Sequence, residues 1–311
     1  MTKRHVPEFP GVIPGGGDLA AFLSANKAAV DAALADAGAL LFRGFDVPDP
    51  LAFDAAIEAH GQTGFTYEDS LSNAVRTNVT PRVFTANEAP PTTEIFLHHE
   101  MAQTPLYPSK LFFYCQIAPG SGGATPLCRS DWVLERLAQQ APGFVARLEA
   151  EGVRYTNVMP GDDDPASGQG RSWRSTLSVA DQNKAEARLN ELGYSWEWLE
   201  DGSLRATTPA LPAVRTLADG RKTFFNQLIA AFRGWADARN DPNKAITFGG
   251  IDGRGEAITA ADMGPAVAIA DELTHDLQWQ AGDVALIDNF TVMHGRRPYE
   301  GKRRVLASLI A

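Results

Sequence analysis

His98 and Glu100 stand two residues apart in Phe96-Leu97-His98-His99-Glu100, and another histidine, His294, follows nearly two hundred residues later in Val292-Met293-His294-Gly295-Arg296-Arg297. On extended backbone, residues i and i+2 project to one side, so His98 and Glu100 can reach the same ion while His99 points away. Two neutral imidazoles and one carboxylate are the set that holds a redox-active Fe(II) by one face and leaves the opposite positions open. They cancel only part of the ion's charge, so a dianionic co-substrate is still attracted to the vacant side. The chemistry to expect is oxygen activation. An H-x-E pair alone is a weak signal, since His and Glu two apart arise by chance and are ordinarily surface or hydrogen-bonded core residues.

The surroundings strengthen it. Asp283-Val-Ala-Leu-Ile-Asp-Asn-Phe-Thr-Val-Met-His294 reads as a buried alternating strand that runs into the distant histidine, and Lys302-Arg-Arg-Val-Leu-Ala-Ser-Leu-Ile310 reads as the next strand, carrying basic residues at its start. Upstream, Asp18 to Ala37 has helical spacing with Gly38 as its cap before a strand Ala39–Phe45, and Asp49-Pro50 opens a helix that Gly61 ends after His60. His60 suits a helix terminus as a cation better than it suits a metal. Helices are further expected from Ser130, as cap, to Gln140, from Pro142 to Glu151, over Val179–Leu192 and over Ala266–Gln280, the last holding His275. Ser203–Thr208 reads as a short strand and Phe224–Phe232 as an apolar segment. Asn78–Glu94, rich in Pro and Thr, reads as a loop or lid before the metal strand. Pro160–Gly170 is a polar, Gly-rich loop without the ligand order of a calcium-binding loop.

Read together, these segments resemble the taurine dioxygenase family (TauD/TfdA-like) of non-haem Fe(II), 2-oxoglutarate-dependent oxygenases. The likeness runs through Leu40-Leu-Phe-Arg-Gly-Phe45, His98-His-Glu100, Leu111-Phe-Phe-Tyr-Cys115, Gly122-Gly-Ala-Thr-Pro126, Arg171-Ser-Trp173 and Phe225-Asn-Gln227. It closes on Gly282-Asp283, Asp288-Asn289, His294-Gly-Arg296 and Arg303-Arg304. The resemblance implies an α+β chain with a mainly β core, a double-stranded β-helix or jelly roll with helices packed outside. It also implies a long insert at about 129–202 between core strands at about 39–128 and 203–311, all in a single catalytic domain 1–311.

Carried over by residue, the resemblance implies iron ligands His98, Glu100 and His294, with Thr125 and Arg304 holding the far carboxylate of 2-oxoglutarate. A guanidinium fork fits a carboxylate in two-point geometry, and a threonine hydroxyl adds a further bond. Neighbours on a strand face opposite ways, so only one of Arg303 and Arg304 can line the interior. The family register, with the parity of Arg304, Leu306 and Ser308, favours Arg304 and leaves Arg303 a solvated charge, while Arg296 and Arg297 rim the site. Two features depart from the commonest family pattern. The acidic ligand is Glu100 rather than Asp, and H-x-E followed by Met101 is similar to a subgroup acting in natural-product pathways. His99 stands where that subgroup shows a small polar residue, and reads as a support for the ligands or a surface histidine rather than a fourth ligand. Halogenating relatives lack the carboxylate, so Glu100 argues against halogenation, and the resemblance implies hydroxylation as the default outcome, with release of succinate and CO2.

The substrate is read from the insert. Arg171, Trp173 and Arg174 could hold an anionic, amino-acid-like or other small carboxylate, or could equally serve as salt bridges and packing. Whether the substrate arrives free or tethered to a carrier protein stays open, as do desaturation, epoxidation or cyclisation at the same iron, taurine-like sulfonates, and association into a homo-oligomer. A different class, a non-catalytic metal-binding jelly roll, would need no anchoring arginine beyond the last ligand.

Composition sets the remaining bounds. A chain of 311 residues, 44% hydrophobic and 21% charged, is large enough for one sizeable core without staples. A net charge of −10 argues against a nucleic-acid surface, which needs a concentrated positive patch. Cys115 and Cys128 read as reduced core residues, and no stretch is apolar for the roughly twenty residues of a membrane span, so the expected location is the cytoplasm.

Overall fold

The computed structural model describes residues 8–61, 63–65, 70–72, 76–86, 89–163, 170–234, 246–250 and 255–311. The lid expected over Asn78–Glu94 and the loop expected over Pro160–Gly170 therefore lie partly outside the described residues.

Two sheets face each other. The larger has the order β1 (Gly11–Pro14), β2 (Ala39–Arg43), β15 (Val284–Asp288), β5 (Lys110–Ile117), β18 (Arg304–Ile310) and β3 (Phe84–Thr85). The smaller has the order β14 (His275–Leu277), β7 (Thr125–Arg129), β16 (Val292–Arg296) and β4 (Ile95–His98). Strands from early and late in the chain are neighbours in both, as a jelly roll requires. Strand parity sorts the side chains into layers. Leu111, Phe113, Cys115, Val305, Ala307 and Leu309 of the larger sheet meet Leu127, Leu277 and Val292 of the smaller one in a shared interior. Phe112, Tyr114, Leu306 and Ile310 point the other way and pack on α1 (Leu19–Ala37) and α2 (Pro50–His60). Beyond the smaller sheet, Leu97, Cys128 and Met293 pack with α3 (Ser130–Gln140), α4 (Pro142–Glu151), α7 (Leu228–Gly234) and α8 (Ala260–Leu273). The interior between the sheets is thus screened from water by helices on both outer faces.

The helix boundaries follow local chemistry. Asp18 caps α1 by accepting from the amides of Ala20 and Ala21, and Gly38 ends it at φ 80°, where a side chain would be strained. Asp49, Pro50 and Gly61 bound α2 in the same manner. Ser130 does not cap α3 as expected: it is the first helical residue, and its hydroxyl donates to Thr291 O at 3.0 Å. The expected helix Ala266–Gln280 is also corrected. A capping box at Thr259 and Asp262 starts α8 earlier, the helix stops at Leu273, and His275 lies on β14, whose pairing with β7 overrides the helical pattern.

The insert builds its own sheet, β13 (Ile246–Phe248), β8 (Val153–Met159), β10 (Leu204–Thr207) and β9 (Ser195–Trp198), with α5 (Trp173–Leu177) and α6 (Gln182–Glu191) packed against it. The boundary expected near residue 202 falls inside this sheet. Two short pairs, β6 (Ser121–Gly122) with β17 (Tyr299–Glu300) and β11 (Arg215–Thr216) with β12 (Lys222–Thr223), complete the strands. Among the described residues no helix is long and apolar enough to cross a membrane.

One close approach fixes the smaller sheet. β4 and β16 pair antiparallel with His98 opposite His294, and the register shifts between His294 and Arg296. A Cβ built at Gly295, inside that irregularity, would stand 2.3 Å from Ile95 O and 3.1 Å from Pro126 Cγ. Glycine is required there because two backbones touch. Gly295→Ala is expected to push β4 away, lowering stability by about 1–3 kcal/mol and weakening divalent-metal binding with it. Urea melts and Co(II) titration check this, and a variant unchanged in both would show that the approach is not needed.

Candidate active site

His98 ends β4 and His294 sits mid-strand in β16, so the sheet register sets the two imidazoles side by side with ring centroids 4.4 Å apart. Glu100 follows in the turn, just before Met101, which takes φ 59° despite its side chain and so marks a strained position. One donor atom from each of His98, Glu100 and His294 lies within 4.8 Å of the others. Glu100 Oε2 stands 3.4 Å from His294 Nε2 and 3.7 Å from His98 Nε2. Bonds of about 2.1 Å at right angles would place donors about 3.0 Å apart, so only small rotations separate this arrangement from a metal's coordination face.

The donor chemistry fits a cation. His98 Nδ1 lies 2.8 Å from Phe96 O, and a carbonyl can only accept, so Nδ1 carries a proton and Nε2 is the nitrogen left to face the carboxylate and a metal. A cation between Nε2 and the carboxylate would bind both. Burial, reinforced by the neighbouring His98 and Arg76 and opposed by Glu100, lowers His294 to about 4, so it stands neutral. Burial would by itself raise the Glu100 carboxyl, but Arg76 and the two histidines outweigh it and hold the group well below the usual carboxylate range. With Glu100 5% and His294 6% exposed, the donors are shielded from bulk water.

Backbone braces hold Glu100 from behind. Asn289 Oδ1 accepts from Glu100 N at 2.7 Å, while its Nδ2 donates to Glu100 O at 3.0 Å and Pro108 O at 2.8 Å. Gln227 donates to His99 O at 3.0 Å, and Asn226 Oδ1 accepts from Leu228 N at the start of α7. His99 is fully buried, with Nδ1 bonded to Asn289 O and its ring 4.9 Å from Phe225. It is a support for the turn, and burial lowers it to about 3.

Thr125 is buried at the start of β7, and Trp279 Nε1 donates to its Oγ1 at 2.9 Å. Because an indole N–H only donates, the Thr125 hydroxyl proton is left to donate elsewhere. The arginine expected beside it is corrected. Arg304 is exposed, and Arg303 is the inward residue, half-buried with Nε donating to Gly123 O at 3.0 Å. The reason is parity. Val305, Ala307 and Leu309 face the shared interior and Leu306 and Ile310 the outer helices, so extending the odd face reaches Arg303. A register shift between Arg304 and Val305 disturbs the pairing at that point. Burial and the neighbouring Arg296 lower Arg303 to about 10, which leaves it charged at neutral pH.

The remaining arginines are structural in their contacts. Arg296 donates to Ala89 O, Pro90 O and Thr93 O at 2.7–3.0 Å, strapping the segment before β4, and Arg297 pairs with Glu94 and Asp276. Of the three residues expected at the substrate, Trp173 is 1% exposed, packed on Trp198 and bonded to Gly202 O, and Arg174 is exposed above its ring. These two contact the insert rather than the metal donors. Arg171 holds Ser72 O and Ser175 O, each at 2.7 Å. Arg76, whose Nη2 lies 3.4 Å from Glu100 Oε1, went unread in the sequence, because no spacing or motif links it to the H-x-E pair.

A jelly roll that gathers two histidines and a carboxylate on one face, with an inward arginine just before the last strand, has the architecture of a non-haem iron oxygenase. The chain belongs to the taurine catabolism dioxygenase TauD, TfdA family, whose model matches residues 5–309. It is accordingly a 2-oxoglutarate-dependent, non-haem iron dioxygenase using Fe(II) and O2. It is 45% identical over 288 residues to a clavaminate synthase-like protein of Arabidopsis thaliana, covering 92% of this chain and 86% of that protein. It is 28% identical over 290 residues to the dapdiamide synthesis protein DdaC of Enterobacter agglomerans, covering 90% and 84%. Its fold is similar to that of an asparagine oxygenase solved with Fe(II), a hydroxyasparagine and succinate, at TM-score 0.55 and 13% identity over 93% of this chain and 79% of the other.

The two buried histidines predict how the metal-free protein responds to acid. Both fold with values below the unfolded 6.5, near 3 for His99 and 4 for His294. The unfolded chain then binds more protons between those limits, and stability is lost as pH falls from about 6.5. Each histidine should contribute about 1.4 kcal/mol per pH unit in that window. Urea denaturation between pH 6.5 and 5 should give a shallower pH slope for His294→Asn than for the parent, and equal slopes would contradict the burial argument.

Proposed function

We propose that the enzyme hydroxylates an unactivated C–H bond of an amino-acid-like or other small carboxylate, free or tethered to a carrier protein. The convergence of His98 with the buried Glu100 and His294 carries this reading. Its support for the substrate class is the pair of relatives named for dapdiamide synthesis and for likeness to clavaminate synthase. In this reading the three side chains hold Fe(II), and Thr125 and Arg303 take the distal carboxylate of 2-oxoglutarate. Bound iron with 2-oxoglutarate and O2 supplies the oxidising power and yields succinate and CO2. The chain's own residues bind and orient: Thr125 donates its free hydroxyl proton, Arg303 offers a charge-assisted contact, and the two sheets keep water out. The free, buried Cys115 and Cys128 agree with a reducing cytoplasm.

Substrate class is tested by offering small carboxylates and amino acids, free and carrier-tethered, and reading stimulated succinate release together with a product one oxygen heavier. Stimulation by taurine alone would replace the proposal. For the co-substrate, Arg303→Ala should leave a buried carboxylate unpaired, a loss on the order of 2–5 kcal/mol, and raise half-saturation by 2-oxoglutarate accordingly. Arg304→Ala should leave it near normal. The reverse pattern would restore Arg304 to the anchoring role, and two normal variants would put the anchor elsewhere.

A further inference from the structure

We propose that Arg76 is a positioning residue that confines Glu100 to one-oxygen metal binding and so keeps the neighbouring coordination positions for the co-substrate. The inference rests on the reading of His98, Glu100 and His294 as the metal ligands. The two oxygens of Glu100 already have different partners: Oε2 faces both histidines, at 3.4 and 3.7 Å, whereas Oε1 faces Arg76 Nη2 at 3.4 Å. A carboxylate can bind an ion through one oxygen or two. With one, the three side chains would leave more of a bound ion's positions open to a chelating keto acid and O2. With two, one of those is lost. Glutamate makes the second mode accessible, because its extra methylene lets the carboxylate swing further than an aspartate could.

The guanidinium is placed by a built element. Arg76 begins a hairpin closed by Thr85 N to Thr77 O at 2.9 Å, Thr77 N to Thr85 Oγ1 at 3.1 Å and Val79 N to Val83 O at 2.8 Å. The hairpin joins the larger sheet through Thr85 opposite Leu306 and Phe84 opposite Ala307, with Phe84 turned into the shared interior. Asp54 of α2 fixes its far end, accepting from Arg82 Nε at 2.6 Å and from the Thr80 hydroxyl. The Arg76 guanidinium lies over the Phe84 ring at 5.7 Å, and its side chain is 10% exposed. A cation is costly to bury without anionic partners, and Glu100 is one.

The sign of the effects separates positioning from plain support. Arg76→Met removes a cation that competes with the metal for Glu100, so Co(II) alone, titrated into the metal-free protein, should bind as tightly as in the parent or more tightly. Addition of 2-oxoglutarate to the Co(II) protein without O2 should then show affinity at least tenfold weaker, with a changed Co(II) visible spectrum. Arg76→Lys, which restores the charge but not the fork, should recover most of that loss, and if the Met variant does not fold, Arg76→Gln takes its place with the same expected pattern, weaker 2-oxoglutarate binding at undiminished Co(II) affinity. Parallel loss of Co(II) and 2-oxoglutarate affinity would make Arg76 a fold support only, and no change in either would remove it from the site. Glu100→Ala with parental Co(II) affinity would instead overturn the ligand assignment beneath the inference.

Discussion

Strand β4 can approach β16 only because Gly295 has no side chain to strike Ile95 O, and the metal face is a consequence of that contact. The approach sets His98 opposite His294, and the turn after β4 then has to bring Glu100 back beneath them. Met101 at positive φ and the three hydrogen bonds of Asn289 complete that turn. Catalytic groups held by backbone pairing and buried amide bonds lose little freedom on binding an ion, which is what preorganisation means in physical terms. The outer helices serve the same end by keeping the interior dry.

Charge has to be balanced in so closed a space. Glu100 is buried against Arg76, Asp283 accepts from Arg43 at 2.6–3.0 Å, and Asp131 is shared by Arg129 and Arg221, the latter also paired with Asp219. These pairs are neutral locally, so they place charges without leaving any uncompensated. Arg303 is different. Its Nε donates to a backbone carbonyl, burial lowers it, and in the proposed reading it meets the distal carboxylate of 2-oxoglutarate. The overall charge of −10 does not oppose this, since binding is decided by the few charges inside the barrel.

Much of this was legible in the chain itself. The H-x-E pair and the distant histidine are types and spacings that strand parity converts directly into a shared face, and Asp18, Gly38, Asp49, Pro50 and Gly61 state their helix boundaries through local hydrogen bonding and backbone freedom. The failures have a common origin in tertiary contact. Register and parity favour Arg304 over Arg303, and the choice fails because every residue from Val305 to Ile310 is buried, one face against the other sheet and one against helices, so hydrophobicity does not say which parity faces the interior. His275 looked helical until β7 offered a pairing edge. Arg76 reaches Glu100 only through a hairpin that joins the sheet edge, and Trp173, with the right chemistry for a ligand, is taken up by packing against Trp198.

The central claim is that three side chains present one metal with adjacent open positions facing an inward arginine. The most direct measurement is anaerobic titration of 2-oxoglutarate into the Fe(II) protein, following the visible charge-transfer absorption that appears when a keto acid chelates ferrous iron. The account predicts a band that saturates at one 2-oxoglutarate per chain and is absent from His294→Ala. A site that binds Fe(II) but gives no band with the parent protein, or gives the same band without His294, would contradict it.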